Sequence, residues 1–169
     1  AFCCSTKATR ASVFVPRLRF VASSVSASAW TCSGSSVLRS QLEHILRASG
    51  ALLNETVMVV VGSQAILGSL ENPPAELVVS READLYPRDA PEKTDLITGS
   101  LGELSLFDET FGYHADGVSP TTAVLPSSWA SRLVPFQNEN TGGVLALCLS
   151  PVDIAISKLA AGREKDLAY

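Results

Sequence analysis

The sequence feature that most constrains the fold is a continuous apolar run over residues 56–61, Thr-Val-Met-Val-Val-Val. Apolar and β-branched residues fill it without alternation, a pattern that predicts a strand buried on both faces. Such strands lie in sheets covered by helices, so the run indicates an α/β domain. Gly62-Ser63 breaks the run, and residues 64–70 are predicted to form a short helix.

Helical and extended patterns alternate along the rest of the chain. Residues 37–49 predict an amphipathic helix with one apolar face, and Gly50 is expected to end it as a C-cap. Residues 92–107 are predicted to be helical in part. Further strands are predicted over residues 77–86, 113–118, 123–125 and 144–149.

The last predicted helix has a strong start signal at Ser150-Pro151-Val152-Asp153. Ser150 can cap the helix, Pro151 suits its first position, and Asp153 favours the helix dipole. No Gly, Pro or cap stands at Tyr169, so the helix is expected to run to the chain end. We therefore expect that a C-terminal part of the domain is missing.

The first 36 residues differ in composition from the rest. They are rich in serine and contain basic but no acidic residues, and all 17 acidic residues lie from Glu43 onward. This opening resembles a transit peptide; the alternative, which we favour, is an upstream extension that is not native structure. The sequence thus divides into an extension over residues 1–36 and a domain over residues 37–169.

The charge and hydropathy of the chain limit which binding partners and which cellular location are expected. The net charge of −4 and the pI of about 5.1 remove the usual electrostatic footprint of a DNA-binding protein. No apolar run approaches the ~18 residues of a membrane span, so no membrane partner is expected. None of the four cysteines has a zinc-ligand spacing, and we expect a reducing cytoplasmic location.

Gly62-Ser63 is a candidate phosphate-binding turn. Glycine between a strand and a helix lets a phosphate approach the backbone N–H groups, and the Ser63 hydroxyl can add a hydrogen bond. A glycine after a buried strand is also common for purely structural reasons.

Glu82 and Asp84 are candidate metal ligands. Side chains alternate along a strand, so both carboxylates point to one face, about 6–7 Å apart at Cα. Their repulsion is relieved by Mg²⁺ held between carboxylates and substrate phosphates. The alternative is a solvated strand face, since Ala83 and Leu85 on the opposite face fit an ordinary amphipathic edge strand.

Taken together, residues 59–67 and 82–86 resemble the Gly-Ser and paired-acid signature of the nucleotidyltransferase superfamily. The segments 114–120, 123–126, 132–134 and 149–166, with Trp129, are similar to a little-characterised bacterial branch. That branch is related to the nucleotidyltransferase-like proteins of toxin–antitoxin and abortive-infection systems. The resemblance covers residues 37–169.

The resemblance implies a small mixed β-sheet flanked by helices and a metal-dependent transfer of a nucleoside monophosphate from an NTP, with release of pyrophosphate. Gly62 and Ser63 would hold the nucleotide phosphates. Glu82 and Asp84 would bind Mg²⁺ or Mn²⁺ in a two-metal scheme. The acceptor would be a protein side chain or an RNA end.

The sequence departs from the superfamily pattern at the acids. The gap from Gly62 to Glu82 is longer than in compact members, and the first acid is Glu rather than Asp. Asp116, on the third predicted strand, is the candidate third acid; the alternative is an aspartate that initiates a turn before Gly117.

Two basic residues near the chain end complete the candidate site. Lys158 and Lys165 share a helix face and can meet a triphosphate; the alternative is a salt-bridged solvated face. Of the two histidines, His44 is expected at the surface and His114 near the pocket, and neither is predicted to bind a metal.

Two further hypotheses remain open for the function. The chain is alternatively a non-catalytic binding or regulatory module with this fold, or an inactive truncated homologue. A third carboxylate facing Glu82 and Asp84 would favour the enzyme, whereas an apolar residue there would favour the module.

Overall fold

The structure of the protein, a computed structural model, describes residues 37–162 of the 169-residue chain. The interpretation of residues 1–36 and the placement of Lys165 lie outside these described residues. The helices are α1 (Arg39–Leu53), α2 (Ile66–Ser69), α3 (Thr94–Leu101), α4 (Leu106–Phe111) and α5 (Pro151–Ala161). The strands are β1 (Val57–Val61), β2 (Glu82–Pro87), β3 (His114–Gly117), β4 (Val134–Phe136) and β5 (Leu145–Cys148).

The five strands form one mixed sheet in the order β3-β2-β1-β5-β4. Strand β1 lies at its centre, antiparallel to β2 and parallel to β5, while β3 runs parallel to β2 and β4 antiparallel to β5. The predicted fold class, a small mixed sheet flanked by helices, is confirmed. Within residues 37–162, no helix combines the length and apolar character needed to cross a membrane.

Burial explains why β1 is central. Met58 through Val61 are at most 5% exposed, as the unbroken apolar run predicts. Helix α1 contributes the apolar face expected from its spacing, and Leu42, Ile45 and Leu46 are fully buried. Each such side chain contributes about 1.5–3 kcal/mol of hydrophobic stabilisation to folding.

Helix α1 passes through Gly50, so the prediction of a C-cap there is wrong. The helix ends at Leu53, and Asn54 adopts the left-handed cap conformation with φ 54°. A Cβ at Gly50 would lie 2.3 Å from Val144 Cγ2, inside van der Waals contact. Glycine therefore serves the close approach of the helix to the chain before β5.

Two predicted strands differ from the structure. Strand β2 begins only at Glu82, because residues 75–77 form a 3₁₀ turn after Pro73-Pro74. Residues 123–125 form no strand; Val124 is 63% exposed, and the edge position beside β5 is occupied by β4 instead.

The prediction that the last helix continues to the chain end is wrong, because α5 ends at Ala161. Gly162 adopts φ 62° and its N–H bonds the Lys158 carbonyl, which ends the helix at Ala161. A glycine in the left-handed region after the last helical residue is a common stop. The sequence therefore contains a helix stop signal, Gly162, within the segment that was predicted to be helical.

The start of α5 is confirmed and carries an ion pair that the sequence did not reveal. The Ser150 hydroxyl accepts a hydrogen bond from the Asp153 N–H at 3.2 Å. Asp153 is fully shielded from solvent. Its carboxylate accepts a hydrogen bond from Arg132 Nε at 3.1 Å and a second one from a terminal nitrogen of the same guanidinium. Hydrogen bonding by Arg132 lowers the pKa of the Asp153 carboxyl, against the opposing effect of burial.

We expect Asp153→Asn to destabilise the fold by about 2–3 kcal/mol, since it leaves Arg132 without its charged partner. The Arg132 side chain is 36% exposed, so solvent screening keeps the cost below that of a deeply buried pair. Denaturant unfolding measures the difference. Asp95→Asn is the matched control, because Asp95 also lies in the first turn of a helix but is exposed.

This destabilisation should depend on pH in one direction. A carboxyl with a lowered folded-state pKa stabilises the fold above its unfolded pKa of about 3.9 and loses that contribution as the pH falls through the folded value. The stability gap between wild type and Asp153→Asn should therefore be full near neutrality and narrow below about pH 4. A gap that is constant down to pH 2 would contradict the charged pair as its cause.

Candidate functional site

Polar side chains from β2 and β3 share one face of the sheet. On β2, Ala83 and Leu85 are fully buried, which leaves Glu82 and Asp84 on the opposite face. The parallel pairing places His114 beside Glu82 and Asp116 beside Asp84. Because paired residues of neighbouring strands point to the same side, all four side chains lie together.

Asp116 lies within a strand and does not initiate a turn. It is half-buried on β3, directly in register with Asp84. The following Gly117 serves a close approach instead, since a Cβ there would lie 2.1 Å from the Thr94 carbonyl oxygen of α3. The face that carries Glu82 and Asp84 therefore has a third carboxylate on the neighbouring strand.

The Gly62 turn lies directly against Asp84. Val61, the last residue of β1, is in register with Asp84, so the chain enters the turn beside that carboxylate. Gly62 has φ 66° and ψ −168°, a conformation that is essentially restricted to glycine. A Cβ at Gly62 would lie 2.1 Å from Asp84 Oδ2, so the missing side chain makes room for the carboxylate.

After the turn the chain is less helical than predicted. Residues Ser63–Ala65 form a 3₁₀ turn and α2 has only four residues, so a helix dipole at Ser63 is small. Gln64 is buried, and its Nε2 donates to the Ser80 carbonyl at 2.8 Å. This bond fixes the turn to the segment that leads into β2.

The side chains fit a divalent cation. One ligand atom each from Glu82, His114 and Asp116 lies within 4.8 Å of the other two. A cation about 2.0–2.2 Å from each ligand holds ligand atoms at most about 4.4 Å apart, so small side-chain rotations suffice. Carboxylate oxygens and a neutral imidazole nitrogen are common metal ligands. Glu82 is 47% exposed and His114 only 9%, so the cluster opens to solvent on the glutamate side.

A further carboxylate, that of Asp108, contacts the other side of the His114 ring. Asp108 Oδ1 is 3.3 Å from His114 Nδ1 and 3.5 Å from an Arg81 nitrogen. Its other oxygen, Oδ2, accepts the Leu104 N–H at 3.2 Å. Arg81 in turn donates to the Gly112 carbonyl from Nε at 3.1 Å and from a terminal nitrogen at 2.9 Å. These bonds tie the end of α4 to the start of β2.

Asp108 and Arg81 were not identified from the sequence. Asp108 lies on a helix and His114 on a strand, and the turn at Gly112 (φ 75°) brings the two side chains together. No periodicity within either element indicates this contact. The sequence predicts no metal-ligand role for His114, yet the register of β2 and β3 places carboxylates beside it.

The remaining basic and histidine candidates lie on other elements. Lys158 is half-buried on α5, and its role toward phosphates stays a prediction, as does that of Lys165. His44 is half-buried on α1, so its side chain is only partly at the surface. It packs among Phe107, Phe111 and Tyr113, and its Nδ1 lies 2.7 Å from the Tyr113 hydroxyl. Burial lowers the pKa of His44, with a smaller effect from Arg47.

The chain matches the model of a known protein family. The model of the family described as "Nucleotidyltransferase of unknown function (DUF6036)" matches residues 39–169, which includes every helix and strand described above. No curated protein and no solved structure matches the chain.

Proposed function

The chain belongs to this family of nucleotidyltransferases of unknown function, as its sequence resemblance predicted, and we propose that it is an active, metal-dependent enzyme. It moves a nucleoside monophosphate from an NTP to an acceptor and releases pyrophosphate. The ion is Mg²⁺ or Mn²⁺, the acceptor is a protein side chain or an RNA end, and the enzyme works in the cytoplasm.

The observation that carries this proposal is the pairing of Asp84 with Asp116 across β2 and β3, next to the Gly62 turn. Three carboxylates on one sheet face repel one another in the absence of a cation. A divalent ion bound with substrate phosphates offsets that repulsion. The position opposite the paired acids is a carboxylate rather than an apolar residue, which supports the enzyme over the non-catalytic module.

Each part of the site has a distinct task in this proposal. Glu82, Asp84 and Asp116 hold the metal, which supplies charge neutralisation at the transferring phosphoryl group. Backbone N–H groups at Gly62 and Ser63 bind phosphate oxygens, and the short, anchored turn holds these donors in place. Lys158 and Lys165 balance the remaining charge of the triphosphate.

The position at which the NTP is cleaved tests the proposal even though the acceptor is unknown. In most group-transfer reactions, water slowly takes the place of a missing acceptor. The purified chain is incubated with each NTP, labelled on either the α- or the γ-phosphate, with Mg²⁺ or Mn²⁺. We expect NMP and pyrophosphate in equal amounts, dependent on the metal and abolished by a chelator. NDP with inorganic phosphate, or no metal-dependent product at all, would contradict the proposal.

Nucleotide binding separates the enzyme from the module. Calorimetry should show that NTP binds more tightly with metal than without it, and that Glu82→Ala/Asp84→Ala removes the metal-dependent part. Glu92→Ala/Asp95→Ala is the matched control, since it removes two exposed acids and the same charge. Metal-dependent binding by wild type without cleavage of any NTP would leave the binding module as the function.

A further inference from the structure

His114 is placed where a metal ligand would be. It is buried, lies in register with Glu82 on the neighbouring strand, and shares its sheet face with Asp116. Its Nε2 is 3.8 Å from Glu82 Oε2, too far for a hydrogen bond but within the span of about 4.4 Å that two ligands of one cation can have.

Asp108 sets the orientation of the His114 imidazole through a contact at Nδ1. Nδ1 lies 3.3 Å from Asp108 Oδ1, so a proton on Nδ1 donates to that carboxylate and leaves the Nε2 lone pair facing the acids. Asp108 is itself fixed by the Leu104 N–H and by Arg81. A carboxylate behind a ligating histidine is the usual way in which proteins fix its tautomer and raise its basicity.

We infer that the site binds a first-row transition-metal cation through a mixed set of ligands, in which His114 Nε2 coordinates together with Glu82 and Asp116. Asp108 is a positioning residue that acts through His114. This inference rests on the proposed function for the purpose of the metal, but it assigns a ligand and a metal preference that the carboxylates alone do not give.

The chemistry of the donors sets the preference. Mg²⁺ favours oxygen ligands and keeps several of its waters, so an imidazole adds little to its binding. An imidazole nitrogen strengthens the binding of transition-metal ions, which follow the series from Mn²⁺ upward. We therefore expect Mn²⁺ to bind at least about tenfold more tightly than Mg²⁺, and Co²⁺ more tightly than Mn²⁺.

Electron paramagnetic resonance of Mn²⁺ tests the assignment on the full chain without nucleotide. The chain has only two histidines, so a nitrogen coupling to bound Mn²⁺ can be traced by substituting each in turn. We expect the coupling in wild type, its loss together with at least about tenfold weaker binding in His114→Gln, and its retention in His44→Gln. Thermal unfolding of each variant, checked against wild type, shows that the fold is intact.

Asp108→Asn separates positioning from coordination. It should weaken Mn²⁺ binding by about 10–100-fold, the usual effect of losing the partner behind a ligating histidine, while the nitrogen coupling remains. The Mn²⁺ over Mg²⁺ preference, measured by competition, should fall in both His114→Gln and Asp108→Asn. A purely structural role for His114 would change unfolding but leave this preference unaltered.

Two results would overturn the inference: the absence of nitrogen coupling in wild type with Mn²⁺ bound, or its persistence in His114→Gln. These results are independent of nucleotidyl transfer. Bound Mn²⁺ with the His114 coupling but no NTP cleavage would contradict the proposed function alone. NTP cleavage with an all-oxygen Mn²⁺ site would contradict this inference alone.

Discussion

Replacing Asp116 by asparagine is expected to lower the rate of NTP cleavage between the α- and β-phosphates about 1000-fold, equivalent to about 4 kcal/mol of activation free energy. Asparagine keeps the size of the side chain but removes the negative charge in register with Asp84. The loss should be in kcat with both Mg²⁺ and Mn²⁺, because the ion then lacks one of the carboxylates that fix it at the reacting phosphate. Release of pyrophosphate at saturating NTP measures it.

Asp89→Asn is the matched control for this substitution. Asp89 follows the end of β2, its side chain is 73% exposed, and its replacement makes the same chemical change away from the cluster. The free energy of unfolding of Asp116→Asn without metal should be equal to or above that of wild type, since one repelling carboxylate is gone. A rate within tenfold of wild type would remove Asp116 from the site, and a large loss of stability would make its role structural.

Local patterns in the sequence were sufficient to predict β1, β5 and the start of α5. The apolar run over residues 56–61 specifies a buried strand wherever it lies, and Ser150 caps its helix through contacts within one turn. The roles of Gly50 and β4 could not be predicted, because each depends on a residue distant in sequence. A side chain at position 50 would clash with Val144, so glycine is needed there. Residues 134–136 form strand β4 because they pair with the edge of β5.

The site residues also divide into those that local sequence patterns predict and those that depend on distant contacts. The two-residue spacing of Glu82 and Asp84 predicted their shared face, since alternation along a strand is a local property. Asp116 was only one of two alternatives from the sequence, because its position opposite Asp84 depends on the register of strands about thirty residues apart. Asp108 gave no signal at all, since only the packing of α4 against the start of β3 brings it to His114.

Gly62→Ala is expected to have the largest combined effect on stability and activity. Alanine at φ 66° and ψ −168° costs about 1–3 kcal/mol in backbone strain alone. Its Cβ would also lie 2.1 Å from Asp84 Oδ2, so either the turn or the carboxylate has to move. We expect a loss of about 2–4 kcal/mol in the free energy of unfolding, measured with denaturant.

The effect on catalysis should exceed the effect on the folded fraction. A displacement of Asp84 by about 1 Å is enough to lower the rate about 100-fold, because the metal and the phosphates are positioned by the same contact. Gly99→Ala is the matched control: Gly99 is exposed on α3, a Cβ added there would meet no atom within 4 Å, and the substitution should stabilise the helix by about 0.5–1 kcal/mol without changing the rate. The rate of Gly62→Ala is measured at a temperature where unfolding shows the protein to be folded. If that rate stays within tenfold of wild type, the glycine turn is a folding device and does not hold Asp84 for the reaction.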